Sequence, residues 1–281
     1  PQSPYLLNII EPNLLGKIYE IFLTEQLVLL ENNTIGLGKK KDCQNRSVVT
    51  TPTEIVKYMV DKTLSKVCEG KTPSEILDIS VADIACGSGI FLEEAFAYLQ
   101  DYCVQWYICN GQTDHLIETG IDLYKLPLQE KKDILCSCIY GIDIDIHAVE
   151  VAKFSLLIKL IEDETAPSVS EVVPILPDLG DNIQFGNSLV SQTELNGISG
   201  ANHQMMEIAP FDWSTINNGC GFDVIIGNPP YVNTEGMHAL LPSAEVEIYK
   251  KKYKTSHKQF DKYFIFIEQA INKINENGLV C

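Results

Sequence analysis

A short apolar run that ends in a glycine-rich turn limits the fold of this chain more than any other feature. Residues 76–84 are mostly apolar, and the sequence Ala-Cys-Gly-Ser-Gly follows them at 85–89. The next apolar side chains recur at helical spacing and are Phe91, Leu92, Ala95, Phe96 and Leu99. This order predicts a β-strand, a tight turn and an α-helix, which together begin a βαβ unit.

Three further apolar runs repeat this order along the chain. They cover residues 138–144, 182–185 and 222–227, and each is followed by a loop or a helical pattern. Strands that alternate with helices form a mainly parallel sheet with helices on both faces, so we predict an α/β fold. Residues 109–132 are mostly polar and residues 167–180 are rich in proline, and we predict loop-rich insertions at the rim of the sheet there.

The N-terminal part of the chain also carries helical patterns. Apolar spacing predicts a helix over residues 12–30, and polar residues predict a loop over residues 31–47. Another helix is predicted to begin at Thr51-Pro52, with Thr51 as its N-cap and Pro52 in its first turn.

A last helix is predicted over residues 259–275, with Asn277-Gly278 as its C-cap and another strand opening directly afterwards. We therefore divide the chain into an N-terminal helical segment with its loop, residues 1–48, and one α/β domain, residues 49–281. Because the last strand has barely begun when the sequence stops, we expect this domain to be incomplete at its C-terminus.

Charge and cysteine content limit the partners and the compartment. Lys and Arg total 21 against 38 Asp and Glu, so the net charge is −17. DNA-binding surfaces are basic, and we therefore expect most of any DNA-contacting surface to lie outside this chain. The nine cysteines are scattered without a Cys-x-x-Cys pair, which favours a reducing, cytoplasmic location and argues against a bound metal. No apolar run is long enough to span a membrane, so we expect no membrane contact.

One local cluster of lysines runs against the acidic total. It lies near residues 250–262, with aromatic residues interleaved, and its members are Lys250, Lys251, Lys252, Lys254, Lys258 and Lys262. A DNA-contacting surface and an ordinary solvated helix face are equally compatible with this pattern.

Candidate functional residues lie at the carboxyl ends of the predicted strands, where open α/β sheets bind their ligands. Asp83 ends the first strand, and Gly87 and Gly89 then allow a close approach of the backbone to a ligand. Asp143 ends the second strand, where a carboxylate can accept hydrogen bonds from a ribose diol. A ligand-free turn and a helix-capping Asp are the alternatives. Leu92 stands where a dinucleotide fingerprint needs its third glycine, which argues against a nicotinamide enzyme.

The sequence Asn228-Pro229-Pro230-Tyr231 follows the 222–227 strand and is the most specific motif in the chain. Two prolines make the backbone rigid and hold Asn228 in an extended conformation. The motif offers an amide oxygen, a rigid backbone carbonyl and an aromatic face, which together suit a planar amino group. A proline loop with a packing tyrosine is the alternative.

These motifs resemble those of the amino-methylating DNA methyltransferases, and more narrowly those of the adenine-N6 enzymes of type IIG restriction–modification proteins. The resemblance runs from about residue 12 to the end, and it departs from the family pattern at Thr50 and Ile84, where Tyr and Pro are usual. It implies a Rossmann-like methyltransferase fold with S-adenosylmethionine as cofactor. The cofactor contacts that it implies are Thr51, Pro52, Asp83, Ala85, Cys86, Gly87, Gly89, Phe91, Asp143, Ile144 and Asn187.

The resemblance also implies a reaction, namely methyl transfer to the N6 amino group of adenine in double-stranded DNA as part of a restriction–modification system. The catalytic residues would be Asn228, Pro229, Pro230 and Tyr231, and Tyr231 would stack on a flipped-out base. We expect the target-recognition domain, and any nuclease domain or subunit, to lie outside this chain, so that the chain alone could be inactive. The alternatives are a methyltransferase for protein glutamine or RNA amino groups, and a degenerate domain that only binds.

Overall fold

A five-stranded parallel sheet forms the centre of the fold. The computed structural model describes residues 25–29, 34–39, 51–164, 172–198 and 201–281. The strands are β1 (Glu25–Leu29), β2 (Ile35–Lys39), β3 (Val81–Asp83), β4 (Ile117–Gly120), β5 (Leu123–Lys125), β6 (Ile139–Asp143), β7 (Ile183–Phe185), β8 (Phe222–Ile225) and β9 (Ile274–Val280).

Helices connect these strands and cover both faces of the sheet. They are α1 (Thr53–Cys68), α2 (Pro73–Ile76), α3 (Ile90–Cys109), α4 (Leu128–Cys138), α5 (Ile146–Ile161), α6 (Gln192–Asn196), α7 (Met205–Ile208), α8 (Thr234–Leu240), α9 (Ser243–Lys252) and α10 (Lys262–Lys273). Short 3-10 turns occupy Thr113–His115, Ala201–Gln204 and Asn217–Gly219. Within the described ranges, no helix is both long and apolar enough to cross a membrane.

The strand order places a topological switch point in the middle of the sheet. The order is β7-β6-β3-β8-β9, and every neighbouring pair is parallel. The chain first moves from β3 outward to β6 and β7, then returns to the other side of β3 for β8 and β9. The crevice beyond the carboxyl ends of β3 and β8 is therefore the expected ligand site. This architecture confirms the predicted α/β class with a mainly parallel sheet.

Two apolar cores lie on opposite faces of the sheet. Val81 and Ile139 point into the core that α1, α3, α4 and α5 cover. The neighbouring residues Ala82 and Tyr140 point into the second core, against α9 and α10. A sheet that is covered on both faces needs apolar residues at successive positions, which explains the continuous apolar runs in the sequence.

The strands and helices differ from their predicted bounds at several places. The predicted strand over 76–84 is only β3, because Ile76 belongs to the short helix α2, which a Thr72 capping box begins. The predicted insertion at 109–132 contains the end of α3, the β4–β5 hairpin and the start of α4. Within the predicted insertion at 167–180, the described residues 172–180 form neither helix nor strand.

The predicted N-terminal helix is wrong where the structure describes it. Residues 12–24 lie outside the described residues, but Glu25–Leu29 forms β1 and pairs antiparallel with β2, which lies in the predicted loop. Three consecutive apolar residues, 27–29, suit a strand as well as a helix. Pairing with a second segment then satisfies their backbone groups in an extended ladder.

The predicted C-cap at Asn277-Gly278 is also wrong. Helix α10 ends at Lys273, and β9 begins at Ile274. Asn277 has a φ of 68° inside β9, where the register with β8 shifts. Asn277-Gly278 therefore forms an irregularity within β9 and not a helix end, because pairing with β8 continues on both sides of these two residues. A strand at the end of the chain is confirmed, but it begins at Ile274, before the predicted start after Gly278, and it is seven residues long.

A carboxylate at the amino ends of the strands joins three of them. Asp223 Oδ2 accepts hydrogen bonds from the backbone N–H and the hydroxyl of Ser80, both at 2.9 Å. Asp223 Oδ1 accepts a third from Asn275 Nδ2 at 2.9 Å. These bonds tie β8 to the start of β3 and to β9, on the side of the sheet opposite the switch-point crevice.

We predict that Asp223→Ala lowers the free energy of unfolding by about 2–3 kcal/mol, because it leaves three partly buried donors without their charged acceptor. Urea unfolding followed by circular dichroism measures the change. Asp114→Ala, at an exposed turn residue, is the matched control and should change the free energy by less than about 0.5 kcal/mol. Equal effects of the two substitutions would contradict the prediction.

Candidate functional site at the switch point

A cavity of about 530 Å³ lies at the switch point. Seven predicted site residues line it, namely Thr51, Pro52, Asp83, Ala85, Asn228, Pro229 and Tyr231. The start of α1 and one face of α10 complete the wall, with side chains that the sequence analysis did not assign to a site: Ile55, Met59, Tyr263, Phe266 and Ile267. Their helical spacing marked them only as apolar residues, and the cavity wall is accordingly mostly apolar.

Asp83 is a buried carboxyl group in this cavity wall. Its side chain is only 3% exposed, and its Oδ1 accepts a hydrogen bond from Ala85 N at 2.9 Å. Burial raises the pKa of Asp83 to about 7, although the bond from Ala85 opposes this shift. A Cβ atom at residue 227 would lie 2.5 Å from Asp83 Oδ1, so only glycine fits there.

Asn228 makes a hydrogen bond at each end of its side-chain amide. Its Nδ2 donates to Thr51 Oγ1 at 3.1 Å, and its Oδ1 accepts from the Tyr231 hydroxyl at 3.0 Å. The prediction that Thr51 caps α1 is therefore wrong. Pro52 occupies the N-cap position without a side-chain bond, and the Thr51 hydroxyl binds Asn228 instead.

Two tyrosines stand together at the mouth of the cavity. The Tyr231 and Tyr263 rings have their centroids 5.4 Å apart, and Tyr231 is 49% exposed. Asp261 holds both segments, because its Oδ1 accepts from Val232 N at 3.0 Å and from Tyr263 N at 3.2 Å. The second of these bonds is the N-cap of α10. An exposed aromatic face is therefore held next to Asn228.

The glycine turn and Asp143 form a second part of the crevice, beside β6. Asp143 Oδ2 accepts from Gly87 N at 2.8 Å, and its Oδ1 accepts from Asp145 N at 2.8 Å. Burial raises the pKa of Asp143, against the effect of these bonds. Asp145 is the N-cap of α5 and accepts a hydrogen bond from His147 N. The helix-capping alternative therefore applies to Asp145 and not to Asp143.

The backbone of the glycine turn has the conformation that the sequence predicted. Gly87 and Gly89 have φ values of 53° and 92°, which favour glycine. A Cβ atom at Gly87 would meet nothing within 4 Å, so this glycine faces open space, whereas a Cβ atom at Gly89 would lie 3.0 Å from the Ala152 side chain. Cys86 and Phe91, which the resemblance places at the cofactor, are instead buried in the core, so that any contact from them would come through the backbone.

Two exposed apolar side chains lie next to Asp143 at the sheet edge. Ile144, which the resemblance implies, is 46% exposed, and Phe185 is 45% exposed. Phe185 pairs in register with Asp143 and was not predicted as a site residue. The signal that could have revealed it is an aromatic residue at the carboxyl end of a strand, next to a candidate ribose-binding carboxylate.

Asn187 lies deeper than the resemblance implies. Its side chain is buried, with Nδ2 donating to Glu245 Oε1 at 3.0 Å and Oδ1 accepting from Leu189 N at 3.1 Å. Lys262 lies 3.5 Å from the same Glu245 oxygen. Both ends of the Asn187 amide therefore serve a buried polar cluster that ties the end of β7 to α9 and α10.

The lysine cluster does not form one surface. Lys252 is a correction to the predicted set, because its Nζ pairs with Glu194 at 2.9 Å and donates to the Leu189 carbonyl at 3.0 Å. Lys262 is buried, and its Nζ lies next to the Glu245 carboxylate in the polar cluster described above. The exposed members are Lys250, Lys251, Lys254 and Lys258. Tyr249, Tyr253 and Phe260 are buried and so do not interleave with them on the surface.

The part of the chain that the structure describes contains no set of side chains suited to bind a metal ion. No group of three or more His, Cys, Asp or Glu side chains is placed there to hold a metal ion. The crevice itself presents hydrogen-bond acceptors, a buried carboxyl group and aromatic faces.

The sequence of the chain is similar to those of named proteins. The chain is 45% identical over 278 residues to the type II restriction enzyme and methyltransferase RM.Eco57I of Escherichia coli, covering 99% of this chain and 27% of that protein. It is 25% identical over 209 residues to the type II methyltransferase M.BstVI of Geobacillus stearothermophilus, covering 73% of this chain and 28% of that protein. The chain thus spans about a quarter of the length of these relatives.

A solved structure shares the fold. The chain aligns with the DrdV–DNA complex at a TM-score of 0.50 and 18% identity, covering 85% of this chain and 20% of that one. The Eco57I restriction-modification methylase family matches residues 137–281, from the end of α4 through β9. These relatives define the class of the protein, because both are named type II methyltransferases. The chain belongs to the Eco57I restriction-modification methylase family.

We predict that Asp83→Asn stabilises the ligand-free protein above pH 7 and much less at pH 4. The folded protein keeps a proton on Asp83 up to about pH 7, whereas the unfolded chain releases it near the ordinary value of 3.8. The protonated Asp83 therefore contributes up to about 4 kcal/mol to the free energy of unfolding below about pH 4. This contribution is lost as the pH rises from about 4 to about 7. Asn cannot ionise and escapes this loss.

Urea unfolding of the variant and the wild type at pH 4, 6 and 8 measures the difference. Asp114→Asn, at the exposed turn, is the matched control and should change the free energy of unfolding by less than about 0.5 kcal/mol. A difference for Asp83→Asn that does not change with pH would show that the carboxyl group is ionised in the folded protein.

Proposed function

We propose that this chain transfers the methyl group of S-adenosylmethionine to the N6 amino group of adenine in DNA, as the modification activity of a restriction–modification system. One observation carries this proposal: Asn228, in a complete Asn-Pro-Pro-Tyr motif, stands at the switch point with its amide oxygen toward an exposed tyrosine. An adenine amino group is planar and can donate two hydrogen bonds, which are the interactions that this motif can accept.

The residues of the crevice fit S-adenosylmethionine. The buried Asp83 carboxyl suits the cationic methionine end, because a positive charge would favour its ionised form. Asp143 suits the ribose hydroxyls, since a carboxylate has lone pairs beyond the two that Gly87 N and Asp145 N occupy. The exposed side chains of Ile144 and Phe185 suit the faces of the adenine ring. When bound, this cofactor supplies an electrophilic methyl group on a sulfonium.

Asn228 and Tyr231 would position the amino group for attack. The Asn228 Oδ1 and the Pro229 carbonyl would each accept a hydrogen bond from it, which draws electron density toward the nitrogen. The Tyr231 hydroxyl now occupies Asn228 Oδ1 and would give way to the substrate. Its ring would stack on the base, an interaction that contributes about 1–3 kcal/mol. The new nitrogen–carbon bond would form as the sulfur–carbon bond breaks, which leaves a neutral thioether, and the nitrogen would release one proton to solvent beside the half-exposed Tyr231.

DNA and the remaining partners belong to the same proposal. The net charge of −17 indicates that duplex DNA is bound mainly by regions outside this chain, with Lys250, Lys251, Lys254 and Lys258 as local contacts. The name of the Escherichia coli relative supports a nuclease in the same system. We also propose a cytoplasmic location and keep the division into residues 1–48 and 49–281. The free thiols of the described cysteines support a reducing compartment.

We predict that the chain binds S-adenosylmethionine saturably and that Asp143→Ala weakens this binding by about 10- to 100-fold, because a charge-assisted hydrogen bond is lost. Isothermal titration calorimetry measures both affinities. Asp145→Ala is the matched control, since Asp145 caps α5 and should keep the affinity within about threefold. If Asp143→Ala binds S-adenosylmethionine as tightly as the wild type does, Asp143 does not bind the ribose hydroxyls.

We predict that Asn228→Ala lowers methyl transfer by at least about 100-fold, because the acceptor of the amino group is lost, while the affinity for S-adenosylmethionine stays within about twofold. Transfer of tritiated methyl groups to unmethylated genomic DNA, in the intact enzyme, measures the rate. Asn233→Ala, an exposed helix cap outside the cavity, is the control for the same substitution.

The products of that reaction test the substrate class. Mass spectrometry of the digested DNA should show N6-methyladenine. Label in RNA or in glutamine side chains, with none in DNA, would replace this proposal by one of the two alternative methyltransferase functions.

A further inference from the structure

We propose that Asp261 is a positioning residue that keeps the Tyr231 ring in place when the substrate takes over the hydrogen bond of the Tyr231 hydroxyl. This inference rests on the proposed function, in which Tyr231 stacks on the flipped-out base. It gives Asp261 a task in the reaction besides that of the N-cap of α10.

Tyr231 changes its contacts in the proposed reaction. In the structure its hydroxyl bonds with Asn228 Oδ1 at 3.0 Å. The amino group of the substrate would take that oxygen, so the ring would lose this bond at the step in which its position matters. A ring that then turns away from the base no longer stacks on it, and the reaction depends on the productive arrangement of base and cofactor. The position of the ring therefore depends on contacts away from Asn228.

One carboxylate oxygen provides these contacts for the backbone of both tyrosines at the cavity mouth. Asp261 Oδ1 accepts from Val232 N, directly after Tyr231, at 3.0 Å, and from Tyr263 N at 3.2 Å. The Tyr231 and Tyr263 rings then lie 5.4 Å apart between centroids, with their planes 46° apart, which is an ordinary aromatic contact. Tyr231 is still half-exposed beside Tyr263, so part of its ring is available to a base.

Further bonds tie Asp261 and the residues after Tyr231 to the core. The Lys262 N–H donates to the Val232 carbonyl at 2.8 Å. The Thr234 hydroxyl donates to the Phe260 carbonyl and accepts from the Phe260 N–H, both at 2.8 Å. Phe260 is buried in the core next to α9 and α10. We call residues 232–234 and 260–262 the clamp, and through it the segment after Tyr231 is attached to a packed part of the fold.

Kinetics of the intact enzyme on unmethylated genomic DNA test this role. Asp261→Ala removes the shared acceptor, and we expect it to lower kcat about tenfold, while Kd for S-adenosylmethionine stays within twofold. Asp261→Asn keeps an oxygen that can accept both bonds and should keep kcat within threefold of the wild type. Asp145→Ala removes the same kind of N-cap from α5 and should leave kcat within twofold, so it controls for the loss of a helix cap.

A double-mutant cycle tests whether Asp261 acts through Tyr231. In a Tyr231→Ala background no ring is left to position, so Asp261→Ala should lower kcat less than twofold further. Tyr263→Leu keeps the clamp and removes the neighbouring ring, and it should give the same pattern in the two backgrounds. It also keeps the test available if Asp261→Ala does not fold. Equal losses with and without the Tyr231 ring would overturn the proposal.

A second measurement needs no activity. In the ligand-free protein labelled with 3-fluorotyrosine, the ¹⁹F signal of Tyr231 is identified by its absence in Tyr231→Phe. This signal should shift in Asp261→Ala and in Tyr263→Leu, and it should stay in place in Asp261→Asn. A signal that does not move in the first two variants would refute the positioning role. Absent methyl transfer by the wild type, with the expected shifts, would refute only the proposed function.

Discussion

The pairing of β3 with β8 is the constraint on which the rest of the site depends. Val81 pairs with Val224 and Ala82 with Ile225, and Ile226 N donates to the Ala82 carbonyl at 2.9 Å. This register brings the carboxyl ends of the two strands together, so that Asp83 and Asn228 line one cavity although they lie far apart in the sequence. The helices on both faces then supply the apolar walls, and Thr51 and Tyr231 hold the two ends of the Asn228 amide.

Most of the fold and the centre of the site could be predicted from short sequence patterns. Each central strand is a buried run with a local signal at its end, such as the glycines after Asp83 or the prolines after Asn228. Parallel strands also bring their carboxyl ends to one edge by geometry alone, so the motifs at those ends had to converge. The structure confirms this for Asp83 and Asn228, which line the same cavity.

The features that could not be predicted depend on partners far away in the sequence. Thr51 resembles a helix N-cap because Pro52 follows it in the sequence. Only the folded chain shows that its hydroxyl accepts a hydrogen bond from Asn228 Nδ2 instead. Lys252 looks like part of a basic surface, but Glu194 pairs with it from another helix. Asn277-Gly278 looks like a helix end, and pairing with β8 overrides that local preference. Local propensity loses in each case to a contact whose partner the sequence does not indicate.

The close approach of Gly227 to Asp83 restricts how this crevice can change during evolution. Because a Cβ atom at residue 227 would overlap the carboxyl group, residue 227 can become larger only where the side chain at residue 83 is shorter. A larger residue at 227 requires a shorter one at 83 first, and that first step removes the buried acid from the cavity. A replacement of Gly227 by stepwise mutation therefore passes through a protein that lacks the Asp83 carboxyl group. As long as Asp83 is retained, Gly227 is retained with it.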